Sequence, residues 1–363
     1  MLASGTAPLT GRPVIISGLG VYLPAKIVTN DDLAGTLATS DEWIRQRTGI
    51  GERRVAELGM CSSDLGVLAA GRALSDAGLA PESIDLVVTA TISPDQIMPA
   101  TAARIAYESG CRNAGAFDLS AGCTGFVYAL AVAAGAVSSG LHDRVLVVGA
   151  EAISRVLDWG DRATAVLFGD GAGAVVVSAA DAAKVGSRSA AARTSESATE
   201  KSKPAAKGIL GFDLGNDGSG ADMLSIPAGG SRLPASRATV DAHQHFMKMN
   251  GREVYKFATR IVAGSAGRVL ERCRRKVEEI DLFVPHQANL RIIEAAGKKL
   301  GISEDRICAN LERYGNTSCA SIPLCLHEAR EKGKLTEGAL VLLMGFGAGL
   351  SWGACLLEWC EGR

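Results

Sequence analysis

The sequence repeats itself at a fixed offset, and this repeat constrains the fold more than any other feature. The segment Ile-Asp-Leu-Val-Val at 84–88 returns as Ile-Asp-Leu-Phe-Val at 280–284, which is 196 positions later. Another apolar run ends at Gly149, and its counterpart ends at Gly345, again 196 positions later. Each copy has the pattern of a buried strand that follows a helix. A duplicated strand–helix unit with parallel strands predicts an α/β protein of two equivalent halves.

We predict that the halves span residues 12–178 and 208–363, with an insertion or linker at 179–207. This middle segment is almost entirely Ala, Ser, Thr, Lys, Arg and Glu, with one valine and no aromatic residue. It has too little apolar surface to order itself, so we expect it at the surface. The whole chain has 363 residues and is 47% hydrophobic, which suffices for one large or two ordinary domains.

A cysteine lies between small residues at the start of an uncharged helical run. Residues 120–126 read Ser-Ala-Gly-Cys-Thr-Gly-Phe, and the apolar run 127–137 follows directly. A helix that is apolar on every side is buried. Its dipole and unpaired N–H groups would favour a thiolate at Cys123. The alternative is a small core residue, which is the usual role of a free cysteine.

A histidine and an asparagine follow the corresponding landmarks of the second half. His286 comes after the strand 282–284, which Pro285 ends, at the edge where α/β sheets bind their ligands. Asn316 falls 193 positions after Cys123, at a similar turn before a helix. Equivalent turns face each other across the axis that relates the halves, so we expect the three side chains to meet. A loop histidine bonded to backbone is the alternative for His286.

Composition and sequence pattern limit the partners and the cellular compartment that we expect for the protein. The net charge of −1 offers no general argument for a nucleic acid or a charged membrane as partner. Nine cysteines, without a CxxC pair, are typical of a reducing cytoplasm rather than a disulfide framework. No signal-peptide pattern is present at residues 1–9. The uncharged window 338–357 contains five glycines, which predicts two strands joined by a loop rather than a membrane span. We also predict a hairpin at 165–177, across a glycine turn.

Three motifs resemble those of the β-ketoacyl-acyl-carrier-protein synthase III family of thiolase-fold condensing enzymes. They read Ala-Gly-Cys-Thr-Gly-Phe at 121–126, Val-Pro-His-Gln-Ala-Asn-Leu-Arg at 284–291 and Tyr-Gly-Asn-Thr-Ser at 314–318. In this order they are specific together, and the resemblance runs from about residue 14 to 358. It implies a thiolase-like fold, in which duplicated βαβ halves form a layered α-β-α-β-α sandwich. The insertion and Ala348, where many members have glycine, depart from the family pattern.

The resemblance implies an acyltransferase that begins fatty acid biosynthesis. Cys123 would take the acyl group of an acyl-CoA, and malonyl-acyl carrier protein would then enter. His286 and Asn316 would bind the second thioester carbonyl while carbon dioxide leaves and the carbanion attacks the acyl-cysteine. The resemblance implies no metal or redox cofactor, since acyl-CoA is a substrate. A condensing or acyl-transfer enzyme of secondary metabolism, with a polyketide or quinolone starter, is the alternative; a non-catalytic partner subunit would lack the nucleophile.

The resemblance also assigns residues around the centre. The CoA-binding residues are Trp43, Arg47, Thr48, Arg162, Gly251 and Asn289. The oxyanion hole and acyl pocket involve Phe346, Gly347, Ala348 and Met98, and the carrier protein docks on Arg291, Lys298 and Lys299. Met98 follows the strand 84–90, on a loop that would cross a homodimer interface and close the partner's acyl pocket. The alternatives are an ordinary helix aromatic for Trp43 and a solvated basic face for the lysines.

Overall fold

The computed structural model describes residues 8–181 and 208–360. The strands are β1 (Val14–Tyr22), β2 (Ile27–Thr29), β3 (Glu52–Arg54), β4 (Leu86–Ala90), β5 (Gly115–Leu119), β6 (Arg144–Glu151), β7 (Gly171–Ala179), β8 (Gly208–Asn216), β9 (Leu224–Ser225), β10 (Lys248–Met249), β11 (Leu282–Pro285), β12 (Leu340–Gly347) and β13 (Ser351–Glu358). The α-helices are α1 (Asn30–Ala34), α2 (Asp41–Thr48), α3 (Ser62–Ala77), α4 (Thr101–Glu108), α5 (Gly125–Ser138), α6 (Arg162–Ala165), α7 (Arg237–Asp241), α8 (Gly251–Arg272), α9 (Leu290–Leu300), α10 (Leu311–Tyr314) and α11 (Ser321–Glu331).

Two mixed sheets carry the fold, and they share one topology. Their strand orders are β1-β7-β6-β4-β5 and β8-β13-β12-β11. In the first sheet β4 runs parallel to β6, and in the second β11 runs parallel to β12. The register repeats as well: Leu86 pairs with Val145, and Leu282 pairs with Val341, each residue being 196 positions after its counterpart. The predicted duplication is therefore confirmed at the level of strand pairing.

The sheets and helices form five layers. Helices α3 and α4 cover the outer face of the first sheet, and α8 and α9 cover the outer face of the second. Helices α5 and α11 lie between the sheets, in one apolar cluster with strands from both. Because strand side chains alternate, Val145 and Val147 join this central cluster, whereas Leu146 and Val148 pack with α3. The predicted α-β-α-β-α sandwich is confirmed.

The Gly-x-Gly of β1 serves helix packing. A Cβ atom at Gly18 would lie 2.3 Å from the carbonyl oxygen of Ala73, and one at Gly20 would lie 2.3 Å from the amide nitrogen of Ala73. Glycine in a strand often marks such a close approach of another backbone. Helix α3 therefore sits directly on β1, and it also contacts β6 and β7.

Two local predictions have different outcomes. The uncharged window 338–357 forms β12 and β13, which pair antiparallel. The hairpin predicted at 165–177 is wrong, since α6 ends at Ala165 and β7 begins only at Gly171. The intervening backbone bonds elsewhere: Gly169 N–H donates to the carbonyl oxygen of Asn316 at 3.0 Å. None of the helices within 8–181 and 208–360 is long and apolar enough to cross a membrane.

The division into residues 12–178, 179–207 and 208–363 stays a prediction. The strands of the first large sheet all precede residue 182, and those of the second all follow residue 207. Most of the predicted insertion, residues 182–207, lies outside the described residues.

Candidate active site

Close contact between two backbone segments builds the turn that carries Cys123, which we call the cysteine elbow. β5 ends at Leu119 and α5 begins at Gly125, so Cys123 lies in the turn between them. Gly122 has φ of 57°, and a Cβ atom there would lie 2.6 Å from the amide nitrogen of Ala348. A Cβ atom at Gly347 would lie 2.5 Å from the amide nitrogen of Cys123. The N–H of Cys123 is thereby brought beside the Gly347–Ala348 peptide, where the oxyanion hole was predicted.

The Cys123 thiol is buried, with only 3% of the residue exposed. Burial raises its pKa to about 12; a hydrogen bond from Ser318 opposes this shift, and the charge of Glu151 adds to it. The effect of burial therefore outweighs the expected stabilisation of a Cys123 thiolate by the helix dipole. In the free protein Cys123 is a thiol, and it must lose its proton as it reacts.

His286 is held from three sides. It follows β11, and its backbone N–H donates to the carbonyl oxygen of Met344 at 2.7 Å. Its Nδ1 lies 2.8 Å from Oγ of Ser321, and its ring meets the edge of Phe346 at 5.3 Å between centroids. Only 1% of His286 is exposed, and burial lowers its pKa to about 3. The imidazole is therefore neutral at physiological pH, as the predicted role requires.

Asn316 is positioned by its backbone and by its own side chain. Its N–H donates to the carbonyl oxygen of Leu167 at 2.8 Å, which forms a bridge around Phe168. Its Oδ1 accepts the N–H of Ser318 at 2.9 Å. Because the oxygen faces this donor, the NH₂ group of the amide is the part left to donate to a ligand.

The turn that carries Asn316 is the elbow of the second half. Two glycines at equivalent positions let this elbow and the cysteine elbow meet between the sheets. A Cβ atom at Gly149 in β6 would lie 2.3 Å from the carbonyl oxygen of Cys319, next to the Asn316 turn. A Cβ atom at Gly345 in β12 would lie 2.4 Å from Oγ1 of Thr124, next to Cys123. Each half thus omits a side chain where the elbow of the other half enters. This is the physical reason for the glycines that recur 196 positions apart.

Cys123, His286 and Asn316 line one cavity of about 130 Å³. Phe346, Gly347, Gly251 and Asn289 line it as well. A second cavity, of about 170 Å³, also reaches Cys123 and Ala348. Its walls are mainly apolar and include Ile92, Phe168, Leu224, Ile226 and Met247. The sulfur of Cys123 therefore adjoins both cavities, and His286, Asn289 and Asn316 supply polar groups to the first one.

Three of the residues predicted to hold CoA lie together around the Trp43 ring on α2. The guanidinium carbons of Arg47 and Arg162 lie 4.8 and 4.6 Å from the Trp43 ring centroid. Nδ2 of Asn289 donates to the carbonyl oxygen of Arg47 at 3.0 Å, which ties this group to the cavity. Thr48 is buried; its hydroxyl donates to Ile44 and accepts from the N–H of Ile50, so the structure shows it closing the helix end.

The predicted docking residues and Met98 lie farther from Cys123 than the cavity residues do. Arg291, Lys298 and Lys299 are exposed on α9, and Glu294 shares that exposed side. Met98 is 84% exposed and lines neither cavity of its own chain. A role for Met98 in the acyl pocket of a partner subunit stays a prediction.

Several residues of the site were not predicted from the sequence. Ser318 and Ser321 support Asn316 and His286, and Glu151 is buried beside them with its carboxylate bound by the Ser93 hydroxyl at 2.6 Å. Burial raises the pKa of Glu151. The signal for the two serines was their place just after Asn316 in the third motif. Nothing in the local pattern marks Phe168, Leu224 or Met247 as cavity residues.

Two mixed sheets with facing elbows, and a buried cysteine beside a histidine and an asparagine, define the class of thiolase-fold condensing enzymes. The family described as 3-oxoacyl-[acyl-carrier-protein] synthase III matches residues 117–195, and its C-terminal part matches residues 270–359. The chain is 46% identical over 346 residues to a β-ketoacyl-[acyl-carrier-protein] synthase III of Caldanaerobacter subterraneus subsp. tengcongensis, covering 95% of this chain and 98% of that one. The chain belongs to the β-ketoacyl-acyl-carrier-protein synthase III family.

Solved structures agree with this assignment. The chain is 44% identical to the β-ketoacyl-[acyl-carrier-protein] synthase III of Thermus thermophilus, with a TM-score of 0.82 over 96% of this chain and all of that one. It is 35% identical to a priming β-ketosynthase from the R1128 polyketide biosynthetic pathway, with a TM-score of 0.83 and 98% of each chain covered.

Proposed function

We propose that this protein condenses an acyl-CoA starter with malonyl-acyl carrier protein, through an acyl-cysteine, and so initiates fatty acid biosynthesis. The observation that carries this proposal is the single cavity lined by Cys123, His286 and Asn316. A buried thiol beside two neutral hydrogen-bonding side chains suits two successive thioester reactions. No metal or redox cofactor enters the proposed reaction.

In the first half-reaction the sulfur of Cys123 bonds to the acyl carbonyl carbon. The bond between that carbon and the CoA sulfur breaks, and the proton of the cysteine ends on the CoA thiol. The backbone N–H groups near Cys123 and Ala348 would hold the oxyanion. The acyl chain would enter the apolar cavity of Leu224, Ile226 and Met247, since burying each methylene contributes about 0.8 kcal/mol.

In the second half-reaction the malonyl thioester replaces CoA in the cavity that Cys123, His286 and Asn316 line. The bond to the terminal carboxylate breaks, carbon dioxide leaves, and the electron pair forms an enolate. His286 and Asn316 would donate to the enolate oxygen, and neither carries a permanent charge that would trap it. The enolate carbon then attacks the acyl-cysteine, which releases the β-ketoacyl product and regenerates the thiol with a proton from solvent.

A second candidate is the priming of a polyketide. The similarity to the polyketide-priming β-ketosynthase favours it, because the chemistry at the cysteine would be the same. The two candidates differ in the extender carrier protein rather than in the elbow. The β-ketoacyl synthase of fatty acid biosynthesis remains our proposal, because the synthase III relative is more similar to the chain, at 46% identity.

The chain's surface supports a homodimer as the working form. Strand β5 is the edge of the first sheet, and Phe117 on it is 38% exposed. Ile97 and Met98 are exposed on the loop that follows β4, and Tyr107 is exposed on α4. An unpaired edge with exposed apolar neighbours is suited to pairing with a second copy.

The remaining assignments follow from the same proposal. Arg47, Arg162 and Trp43 would hold the CoA nucleotide, because guanidinium and indole planes can stack with a base. The exposed basic residues of α9 would receive the acidic carrier protein. We place the reaction in the cytoplasm, which fits cysteines that are all free in the structure.

Mass spectrometry of the intact protein tests the proposal. We expect one acyl group after incubation with acetyl-CoA or another short acyl-CoA, and peptide mapping should place it on Cys123. Cys123→Ser should abolish condensation with malonyl-acyl carrier protein. Label found on the neighbouring Cys319, or a chain that stays unlabelled across a panel of acyl-CoA thioesters, would contradict the proposal.

A further inference from the structure

The strongest unassigned feature of the site is the partner of His286 on its buried side. Nδ1 of His286 and Oγ of Ser321 are 2.8 Å apart, and both groups are buried. The same Oγ donates to the carbonyl oxygen of Ser318 at 2.8 Å. Ser321 begins helix α11, so its backbone position is set by the helix and by the central apolar cluster.

The hydroxyl of Ser321 has a single hydrogen and two possible acceptors, the carbonyl oxygen of Ser318 and Nδ1 of His286. When it donates to the carbonyl oxygen of Ser318, its lone pair accepts a hydrogen bond from Nδ1–H of His286. When it turns toward the ring, it donates to an unprotonated Nδ1, and the proton of the neutral imidazole is then on Nε2. A backbone carbonyl in this place could only accept, and it would hold the ring in the first state.

The second orientation leaves no buried group without a partner. The carbonyl oxygen of Ser318 also accepts the backbone N–H of Ser321. It therefore keeps a hydrogen bond when the hydroxyl turns away. The exchange costs no more than one hydrogen bond and creates one to the ring, so both orientations are accessible in the folded protein.

We propose that Ser321 is a positioning residue whose hydroxyl donates to Nδ1 of His286 and so keeps the proton on Nε2 for the condensation step. This inference rests on the proposed function, in which His286 donates to an enolate oxygen. Nδ1 is occupied by Ser321, so Nε2 is the nitrogen that serves the cavity. When the serine donates to Nδ1, Nε2 carries the proton and serves the cavity as a donor.

The same short segment also holds the other two members of the site. The N–H of Ser318 fixes Oδ1 of Asn316 at 2.9 Å, and a hydrogen bond from the Ser318 side chain opposes the rise in the pKa of Cys123. Ser318 has φ of 46°, a left-handed conformation that is uncommon for serine. Its carbonyl is therefore held in place, which gives the Ser321 hydroxyl a fixed second acceptor.

The test compares Ser321→Ala with Ser321→Thr and Ser321→Cys. In Ser321→Ala the rate of malonyl-acyl carrier protein decarboxylation should fall about 10–100-fold, the usual loss when the partner that orients a functional histidine is removed. Ser321→Thr keeps the hydroxyl and should restore most of the rate, whereas Ser321→Cys should be intermediate. Ser17→Ala is a matched control, since Ser17 is another buried serine that donates to a carbonyl, far from the site along β1.

Nitrogen-15 NMR of histidine-labelled free protein gives a readout that lost packing alone would not move. His286→Gln assigns the signals: in the unmodified protein Nδ1 should give the signal of an unprotonated ring nitrogen and Nε2 that of a protonated one. Both signals should shift in Ser321→Ala, return in Ser321→Thr and stay unchanged in Ser17→Ala. A protonated Nδ1 in the unmodified protein, unmoved signals in Ser321→Ala, or decarboxylation by that variant within twofold of the unmodified protein would overturn the inference. If the unmodified protein itself fails to decarboxylate malonyl-acyl carrier protein, the proposed function fails, while the NMR comparison still decides the role of Ser321. If Ser321→Ala does not fold, Ser321→Cys and Ser321→Thr carry the same comparison.

Discussion

At the scale of single residues, loss of solvent determines the state of the site. Burial disfavours the charged form of both Cys123 and His286, so the resting protein holds a thiol and a neutral imidazole. A neutral histidine can donate or accept according to which nitrogen carries the proton. The chemistry of the two half-reactions therefore depends on hydrogen-bond partners rather than on a fixed ion pair.

The two half-reactions should separate in single variants. His286→Ala and Asn316→Ala should lower the decarboxylation rate by about 10²–10³, because each removes one preorganised donor to the enolate oxygen. Acylation of Cys123 should persist, and it can be followed by mass spectrometry in the same samples. His327→Ala, which changes a histidine within α11, is the control. Variants that acylate slowly yet decarboxylate normally would reverse these assignments.

The pH dependence of stability should reveal the buried imidazole. The unfolded chain protonates His286 near pH 6.5, but the folded chain does so only near pH 3. Between these values the unfolded state binds more protons, so stability falls as the pH falls. The free energy of unfolding should therefore be about 2 kcal/mol lower at pH 5 than at pH 7. Urea unfolding at both pH values should show this loss in the unmodified protein and a smaller loss in His286→Gln; equal losses would exclude it.

At the scale of elements, short turns and single helices carry the binding surfaces. Helix α9 buries Ile292, Ile293 and Ala296 and turns its basic residues outward. Asn289 accepts the N–H of Arg291 at the start of this helix while its NH₂ group reaches the carbonyl of Arg47. One residue thereby links the cavity, the helix that carries the predicted docking residues and the end of α2.

Charge reversal on α9 should affect the carrier protein selectively. Lys298→Glu combined with Lys299→Glu should raise KM for malonyl-acyl carrier protein about tenfold, because an attractive surface becomes repulsive for an acidic partner. Acylation by acetyl-CoA should change little. Lys26→Glu, which reverses an exposed charge away from α9, is the control. A KM that is unchanged at low salt would show that the carrier protein docks elsewhere.

At the scale of the whole molecule, the duplication explains why the site is central. The helices between the sheets come from both halves, and each half leaves space at a glycine for the other's elbow. The second half thus completes the site of the first. The exposed edge strand β5 and the Met98 loop lie on the first half and offer a surface to a second copy.

Met98 should control starter length across this interface. Met98→Phe should lower the ratio of kcat/KM for octanoyl-CoA to that for acetyl-CoA, because an aromatic ring yields less readily than an unbranched thioether. Leu58→Phe, at a residue that is 96% exposed, is the control. Analytical ultracentrifugation should show a dimer for all three proteins. An unchanged ratio in a dimeric Met98→Phe protein would place Met98 outside the acyl pocket.

Features that depend on local pattern and on the repeat could be predicted from the sequence. The buried strands, the apolar helix after Cys123 and the strand pairing at an offset of 196 follow from the periods that burial imposes and from the repeat, whereas the five-layer sandwich was implied by the resemblance to the synthase III family. The meeting of Cys123, His286 and Asn316 in one cavity could be predicted as well, since equivalent turns of equivalent halves must face each other.

The surroundings of those residues depend on tertiary contacts. The helix dipole was expected to favour a thiolate at Cys123, but burial raises the pKa of the thiol, and the amount of burial depends on segments far along the chain. The hairpin at 165–177 is wrong because that backbone bonds to Asn316 instead of to itself. Ser321 reaches a ring 35 positions away only after α11 packs between the sheets. Partners of this kind are chosen by long-range packing, which no local pattern of residue types records.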